Sequence, residues 1–152
     1  MRPPARVPDP WSLRLATATG ERAALEIYDD EDLVDVMVAP ALAGRVLRGA
    51  RAATRAGRHQ VLAWGYLPAD GTPLAAAFVG RRAVRRVHPV PVTGIGGRFW
   101  VAAAEGRFRK VIVTFGYSAA HDDLDRVAVE VGDPGGAQRV EEIVRRAEQA
   151  DT

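Results

Sequence analysis

The stretch from Gly97 to Gly116, GRFWVAAAEGRFRKVIVTFG, constrains this chain more than any other. Two apolar runs are joined at Glu105-Gly106, and glycine supplies the positive φ that a two-residue hairpin loop favours. The spacing predicts a β-hairpin with Ala104 against Arg107, Trp100 against Val111 and Phe99 against Ile112. Side chains alternate along a strand. One face then carries Trp100, Val111, Val113 and Phe115, and the other Phe99, Val101, Phe108 and Ile112. Strands apolar on both sides belong in the middle of a structure, covered above and below. An isolated hairpin is marginal, so other elements must supply the cover.

Further strands are expected around it. Ser12–Ala18 and Ala23–Tyr28 alternate and are separated by Thr19-Gly20-Glu21-Arg22, which reads as a second hairpin. Gln60–Leu67 reads as a strand, Pro68–Pro73 (PADGTP) as a turn, and Leu74–Val79 as a short strand. Val84–Ile95 is extended, and Pro89 and Pro91 place it at a sheet edge or bulge. Asp125–Gly132 alternates, with Val127, Val129 and Val131 on one face. Val34–Ala39 fits either a helix or a short strand, because periodicity is not decisive over so few residues.

Two helices are expected. Pro40 opens the first, about residues 41–56, with Leu42, Val46, Ala50 and Ala53 on one face and Arg45, Arg48, Arg51 and Arg55 on the other; Gly57 ends it. The second covers residues 137–149, with Val140, Ile143, Val144 and Ala147 as its apolar stripe and Glu141–Arg145 and Glu142–Arg146 as i,i+4 pairs. Grouped strands with one or two helices argue for an α+β fold: a mainly antiparallel sheet, as a sandwich or roll, with helices packed on a face or end. Residues 1–10, with four prolines, form an irregular arm, and residues 11–152 a single globular domain.

Composition narrows the chemistry. The chain has no cysteine, which removes disulfides, thiolate nucleophiles and thiolate metal sites. It carries 21 basic and 19 acidic residues for a net charge of +2, too balanced to read as a nucleic-acid footprint from charge alone. Lys110 is the only lysine. With abundant alanine, glycine, valine and proline, the arginine excess fits GC-rich coding of the actinobacterial kind. The N-terminus lacks the apolar core of a secretory signal, and no run approaches the ~18 apolar residues of a membrane span. A cytoplasmic protein is expected.

Several clusters bear on function. His121-Asp122-Asp123-Leu124-Asp125 brings an imidazole and three carboxylates together, yet lacks the offsets and central glycine of a calcium loop. Asp29, Asp30, Asp32 and Asp35 suit the positive end of a helix dipole better than a metal. Arg45, Arg48, Arg51 and Arg55, with Arg81, Arg82, Arg85 and Arg86, are candidate contacts for phosphates or an acidic partner. Ser118 has no nucleophile-elbow sequence around it. His59, His88 and His121 are scattered. Gly94-Ile95-Gly96-Gly97 precedes a strand, so it reads as a turn and not a phosphate cradle. Trp11, Trp64, Trp100, Phe78, Phe99, Phe108 and Phe115 read as core. No catalytic set, metal or cofactor is indicated.

The leading expectation is a non-enzymatic β-rich interaction module that binds a protein partner or self-associates, because exposed strand edges pair with other chains. The alternatives are a small-molecule-binding protein or enzyme with a pocket near Tyr117, His121 and Asp122, and a nucleic-acid binder using the arginine clusters.

Overall fold

A computed structural model describes residues 7–18, 20–39, 45–69, 71–80, 87–116, 125–131 and 140–143. Twelve strands occupy them: β1 (Trp11–Ala18), β2 (Arg22–Asp29), β3 (Asp32–Ala39), β4 (Gly49–Arg55), β5 (Arg58–Tyr66), β6 (Leu74–Gly80), β7 (Val87–Val90), β8 (Thr93–Ile95), β9 (Phe99–Glu105), β10 (Phe108–Phe115), β11 (Asp125–Glu130) and β12 (Val140–Ile143). They form three antiparallel sheets: a meander β1-β2-β3, a central sheet β4-β5-β9-β8, and a third sheet β12-β11-β10-β6-β7.

The central sheet is apolar on both faces. Ala53, Leu62, Trp64, Phe99 and Val101 pack against Trp11, Leu13, Leu25, Ile27 and Met37 of the meander. Ala50, Val61, Ala63, Trp100 and Ala102 pack against Phe78, Phe108, Val111, Val113 and Val129 of the third sheet. The two faces of β5 and β9 thus feed two separate cores, as the period of two dictates. All seven aromatic residues expected as core lie in or against one of these clusters.

No helix occurs among the described residues, so the α+β expectation is replaced by an all-β architecture. The helix expected at 41–56 is overturned by β4, which pairs with β5 from Gly49↔Trp64 to Arg55↔Arg58. Gly49 would weaken a helix interior. From there GARAATR alternates, with Ala53 turned to the meander core and Ala50 to the other. The apolar positions that fit a period of 3.6 fit a strand as well. The helix expected at 137–149 is likewise overturned where it is described, because Val140–Ile143 is a strand with Val129↔Val140 and Arg126↔Ile143. Its flanks lie outside the described residues.

The strands of the expected Gly97–Gly116 hairpin both form, but they do not pair with each other. β9 pairs with β5 and β8, and β10 with β6 and β11. The Gly106-Arg107 connection is an arch that carries the chain from the central sheet into the third. Gly106 has φ +138° and donates its N–H to the His59 carbonyl at 2.8 Å. A Cβ there would lie 3.0 Å from the Phe108 ring. Trp100, Val111 and Val113 still share a core, but from facing layers. Phe108 joins that core as well. The pairing of β10 with β6 shifts register between Phe108 and Lys110, and such a bulge moves a side chain to the opposite face.

The other strand expectations hold where they are described; residues 84–86 and 132 lie outside the described residues. The first hairpin forms with Ala18↔Arg22. The 67–73 connection turns with Gly71 N–H donating to the Pro68 carbonyl. The proline-bearing segment supplies the edges β7 and β8. Val34–Ala39 is a strand within β3. At the arch, Arg58 and Glu105 form a two-pronged pair at 3.1 and 2.8 Å. The Arg58 guanidinium, by hydrogen bond and then by charge, holds the Glu105 carboxyl below its ordinary value of 4.5. A depressed carboxylate contributes stability above its ordinary pKa and loses it as pH falls through the lowered value. Both groups are exposed, so the effect is small. We expect Glu105→Gln to flatten slightly the fall in Tm between about pH 5 and about pH 2, a difference that disappears in high salt; thermal melts across that range measure it.

Candidate functional site

The acidic run and the first arginine group, both singled out in the sequence, meet each other. Asp29 ends β2, Asp30 lies in the following turn, and Asp35 lies in β3. Arg51 and Arg55 flank Ala53 on the face of β4 turned to the meander. Asp29, only 3 % exposed, accepts a hydrogen bond from Arg55 Nη2 at 2.9 Å and lies 3.4 Å from Arg51 Nε. Arg55 Nε donates to Asp30 Oδ2 at 3.0 Å. Asp35 takes two bonds from Arg48, 2.6 and 3.0 Å long, and a third from the indole Nε1 of Trp64 at 2.8 Å.

These contacts fasten the meander to the central sheet. The hydrogen bond to Asp30, and then the charge of Asp29, raise Arg55 above its ordinary value. The hydrogen bond to Asp35 raises Arg48 in the same way. Charge-assisted and bidentate bonds of this kind are the strong class. Among the described residues, three buried side-chain polar atoms have no hydrogen-bond partner: Trp11 Nε1, Arg51 Nε and Gln60 Oε1. Trp11 is opposite Asp29 in the β1–β2 register, and Gln60 is opposite Ala53 in the β4–β5 register.

The acidic run therefore ends one strand, turns and begins the next, and is not a helix start. Among the described residues no group of three or more His, Asp or Glu is arranged to hold a metal ion. Arg45 is exposed in the segment before β4. Arg81, Arg82, Arg85 and Arg86 lie outside the described residues, as do Tyr117, Ser118, His121 and Asp122. His59 stands between Thr54 Oγ1 at 2.9 Å and the Arg107 Nε donor at 3.0 Å. His88 packs edge-on against Phe108.

The meander also carries most of the exposed bulk. Among the described residues, the exposed large hydrophobic side chains are Leu15 (47 %), Leu33 (53 %), Val36 (36 %) and Val87. The first three belong to β1 and β3, its two edge strands.

Those edges differ. Asp30 N–H donates to the Pro10 carbonyl at 2.9 Å, which fixes the parity of the β1–β2 ladder. Antiparallel residues alternate between bonded and non-bonded pairs. In the β1–β2 register, Ser12, Arg14 and Ala16 therefore face β2. The N–H and C=O groups of Trp11, Leu13, Leu15 and Thr17 face away from it. The same parity turns Val36 and Val38 of β3 outward.

The outward groups of Val36 and Val38 are occupied by side chains. Val36 N–H donates to Asp35 Oδ1 at 2.9 Å, and Val36 C=O receives Arg48 Nη2 at 3.5 Å. The Tyr66 hydroxyl lies 3.2 Å from both the N–H and the C=O of Val38. On β1, Trp11 N–H is taken by the Pro8 carbonyl at 3.0 Å. Leu13, Leu15 and Thr17 present their backbone groups with no partner among the described residues.

Sequence reasoning did not find this edge. Alternation marks β1 as a strand, but which of its sides lacks a neighbour depends on the whole topology.

No helix among the described residues is long and apolar enough to cross a membrane. Compared with protein-family models, with curated proteins and with solved structures, the chain matches none of them.

Proposed function

We propose that this protein is a non-enzymatic interaction module that engages a second polypeptide, or a second copy of itself, through the β1-β2-β3 meander. The carrying observation is the distribution of exposure. Arg48, Arg51 and Arg55 are each engaged by an aspartate, whereas the meander turns Leu15, Leu33 and Val36 to solvent. In register, Leu33 is opposite Tyr28, Val36 opposite Glu26 and Val38 opposite Ala24. That row sits on the face turned away from the core and is apolar along one whole edge strand. Contiguous apolar surface rimmed by polar groups marks protein contacts. The Arg14–Glu26 pair at 3.7 Å supplies such a rim.

Affinity capture from the native host, with the wild-type chain and with a Leu33→Glu/Val36→Glu double variant, tests the reading. A second polypeptide held by the wild type and lost by the folded variant supports the partner branch. Equal retention of that polypeptide by both overturns that branch, and capture of nothing by a wild type that is also monomeric in light scattering overturns the reading.

A further inference from the structure

Resting on the self-association branch of that reading, we propose that two copies of the chain join edge to edge through β1, as an antiparallel β1–β1′ pair about a twofold axis at Leu15. The meanders would then form one six-stranded sheet, in the order β3-β2-β1-β1′-β2′-β3′.

The edge inventory carries the argument. Among the described residues, five of the six sheet edges are short, interrupted or engaged. β7 has four residues and includes Pro89, β8 has three and β12 has four. β3 is capped at Val36 and Val38 by Asp35, Arg48 and Tyr66. Along β4, Gly49, Ala50 and Ala53 are buried, and Arg55 Nη1 donates to the Thr54 carbonyl. These are the usual ways in which edges are kept from pairing. β1 has eight residues, none of them proline, and a single charge at Arg14.

The register follows from the same hydrogen bonds. With Trp11 N–H held by Pro8, the residues of β1 that keep both outward groups are Leu13, Leu15 and Thr17. An isologous antiparallel pair repeats every contact across its axis. An axis through Leu15 sets Leu15 against Leu15′ and Leu13 against Thr17′ in both directions. All three residues then exchange both of their bonds, and the Trp11 carbonyl alone stays outside these pairs. This register also sets Arg14 against Ala16′, so the two guanidinium groups are not directly opposed, which would be unfavourable. Leu15 lies at the axis and is 47 % exposed in the single chain. Its side chain rests over Gly96, where a Cβ would come within 3.3 Å of Leu15 Cδ2. The copies of Leu15 would close over each other there.

The chain lacks cysteine, so single-cysteine variants report the geometry without background. A hydrogen-bonded antiparallel pair has Cα atoms about 5.5 Å apart, within the range of about 4.4–6.8 Å that a disulfide spans. In the proposed register the two copies of residue 14 are diagonal neighbours, about 7–8 Å apart. Light scattering across a wide concentration range should show the wild type reaching twice its mass of 16.4 kDa. Leu15→Lys, which brings two ammonium groups to the axis, should weaken that association about tenfold or more while keeping the β-sheet circular dichroism signal. Leu15→Cys should give a covalent dimer under mild oxidation, and Arg14→Cys should not.

A wild type that stays monomeric overturns the proposal, while partner capture by Leu33 and Val36 still stands or falls on its own test. A dimer indifferent to Leu15→Lys and not trapped by Leu15→Cys overturns the β1 edge. Trapping by Arg14→Cys in place of Leu15→Cys overturns the register.

Discussion

Gly65→Ala should be among the most damaging single substitutions in this chain. A Cβ on residue 65 would lie 1.9 Å from the Val46 carbonyl oxygen and 2.8 Å from Trp100 Nε1. The backbone just before β4 crosses β5 at this point. Tyr66 N–H donates to the Arg45 carbonyl at 3.0 Å, and Arg48 N–H to the Trp64 carbonyl at 2.9 Å. Val46 C=O lies above the missing side chain and accepts the indole N–H of Trp100. An alanine must expel that carbonyl. The indole nitrogen of a fully buried tryptophan then loses its acceptor. Overpacking a tight site costs about 1–3 kcal/mol, and orphaning a buried donor costs a further 1–3 or so. We therefore expect a loss of about 3 kcal/mol or more, which lowers Tm by about 10 °C in a domain of this size. Gly94→Ala is the control: its nearest neighbour is Leu67 Cδ1 at an ordinary 3.7 Å, and it should shift stability by no more than about 0.5 kcal/mol. Thermal melts of the two variants decide. Equal small shifts would show that the crossing at residue 65 is loose.

The second large effect is expected at Asp29. Its carboxylate is buried between the meander and the central sheet and is approached by two arginines. Asp29→Ala leaves Arg51, already without a hydrogen bond at Nε, with no counter-charge beneath the meander. Removing one partner from a buried pair costs about 3–5 kcal/mol. The Arg51 side chain is 22 % exposed and the Arg55 side chain 49 %, so both reach water in part and the lower end of that range applies. Asp30→Ala removes only the outer contact and should have little effect. Urea unfolding separates the two. The loss at Asp29 should persist in high salt, because a buried pair is poorly screened. An Asp29→Ala midpoint close to that of Asp30→Ala would mean that the pair does not hold the sheets together.

Strands were legible in the residues; their partners were not. β1 and β2 are readable as a hairpin because a three-residue link leaves adjacent strands little choice. Gly97–Gly116 carries the same local signals, and each of its strands goes to a different sheet. The burial of β9 on both faces distinguishes it from β10, which alternates more openly at Arg109, Lys110 and Thr114. That difference was available in the sequence. The bulge between Phe108 and Lys110 concealed it by placing Phe108 on the same side as Val111. At 41–56 the arginines at positions 45, 48, 51 and 55 suit a helical stripe. Three of them are instead spaced to meet Asp29, Asp30 and Asp35 of the acidic run. Opposite charges distant along the chain look locally like two separate surfaces, although each is the other's complement. The open side of β1 was not legible at all, since it depends on which strands pair elsewhere.

The order in which the chain visits its layers has a further consequence. β4 and β5 enter the central sheet, β6 and β7 the third, β8 and β9 return to the central one, and β10 to β12 end in the third. Neither layer can be finished before the other has been started, and each stage closes long loops before any contact offsets their entropy. The meander closes from neighbours alone. Assembly thus joins one quickly folding ribbon to an interleaved pair that gains its order as a unit, and loosening either member of that pair undoes both.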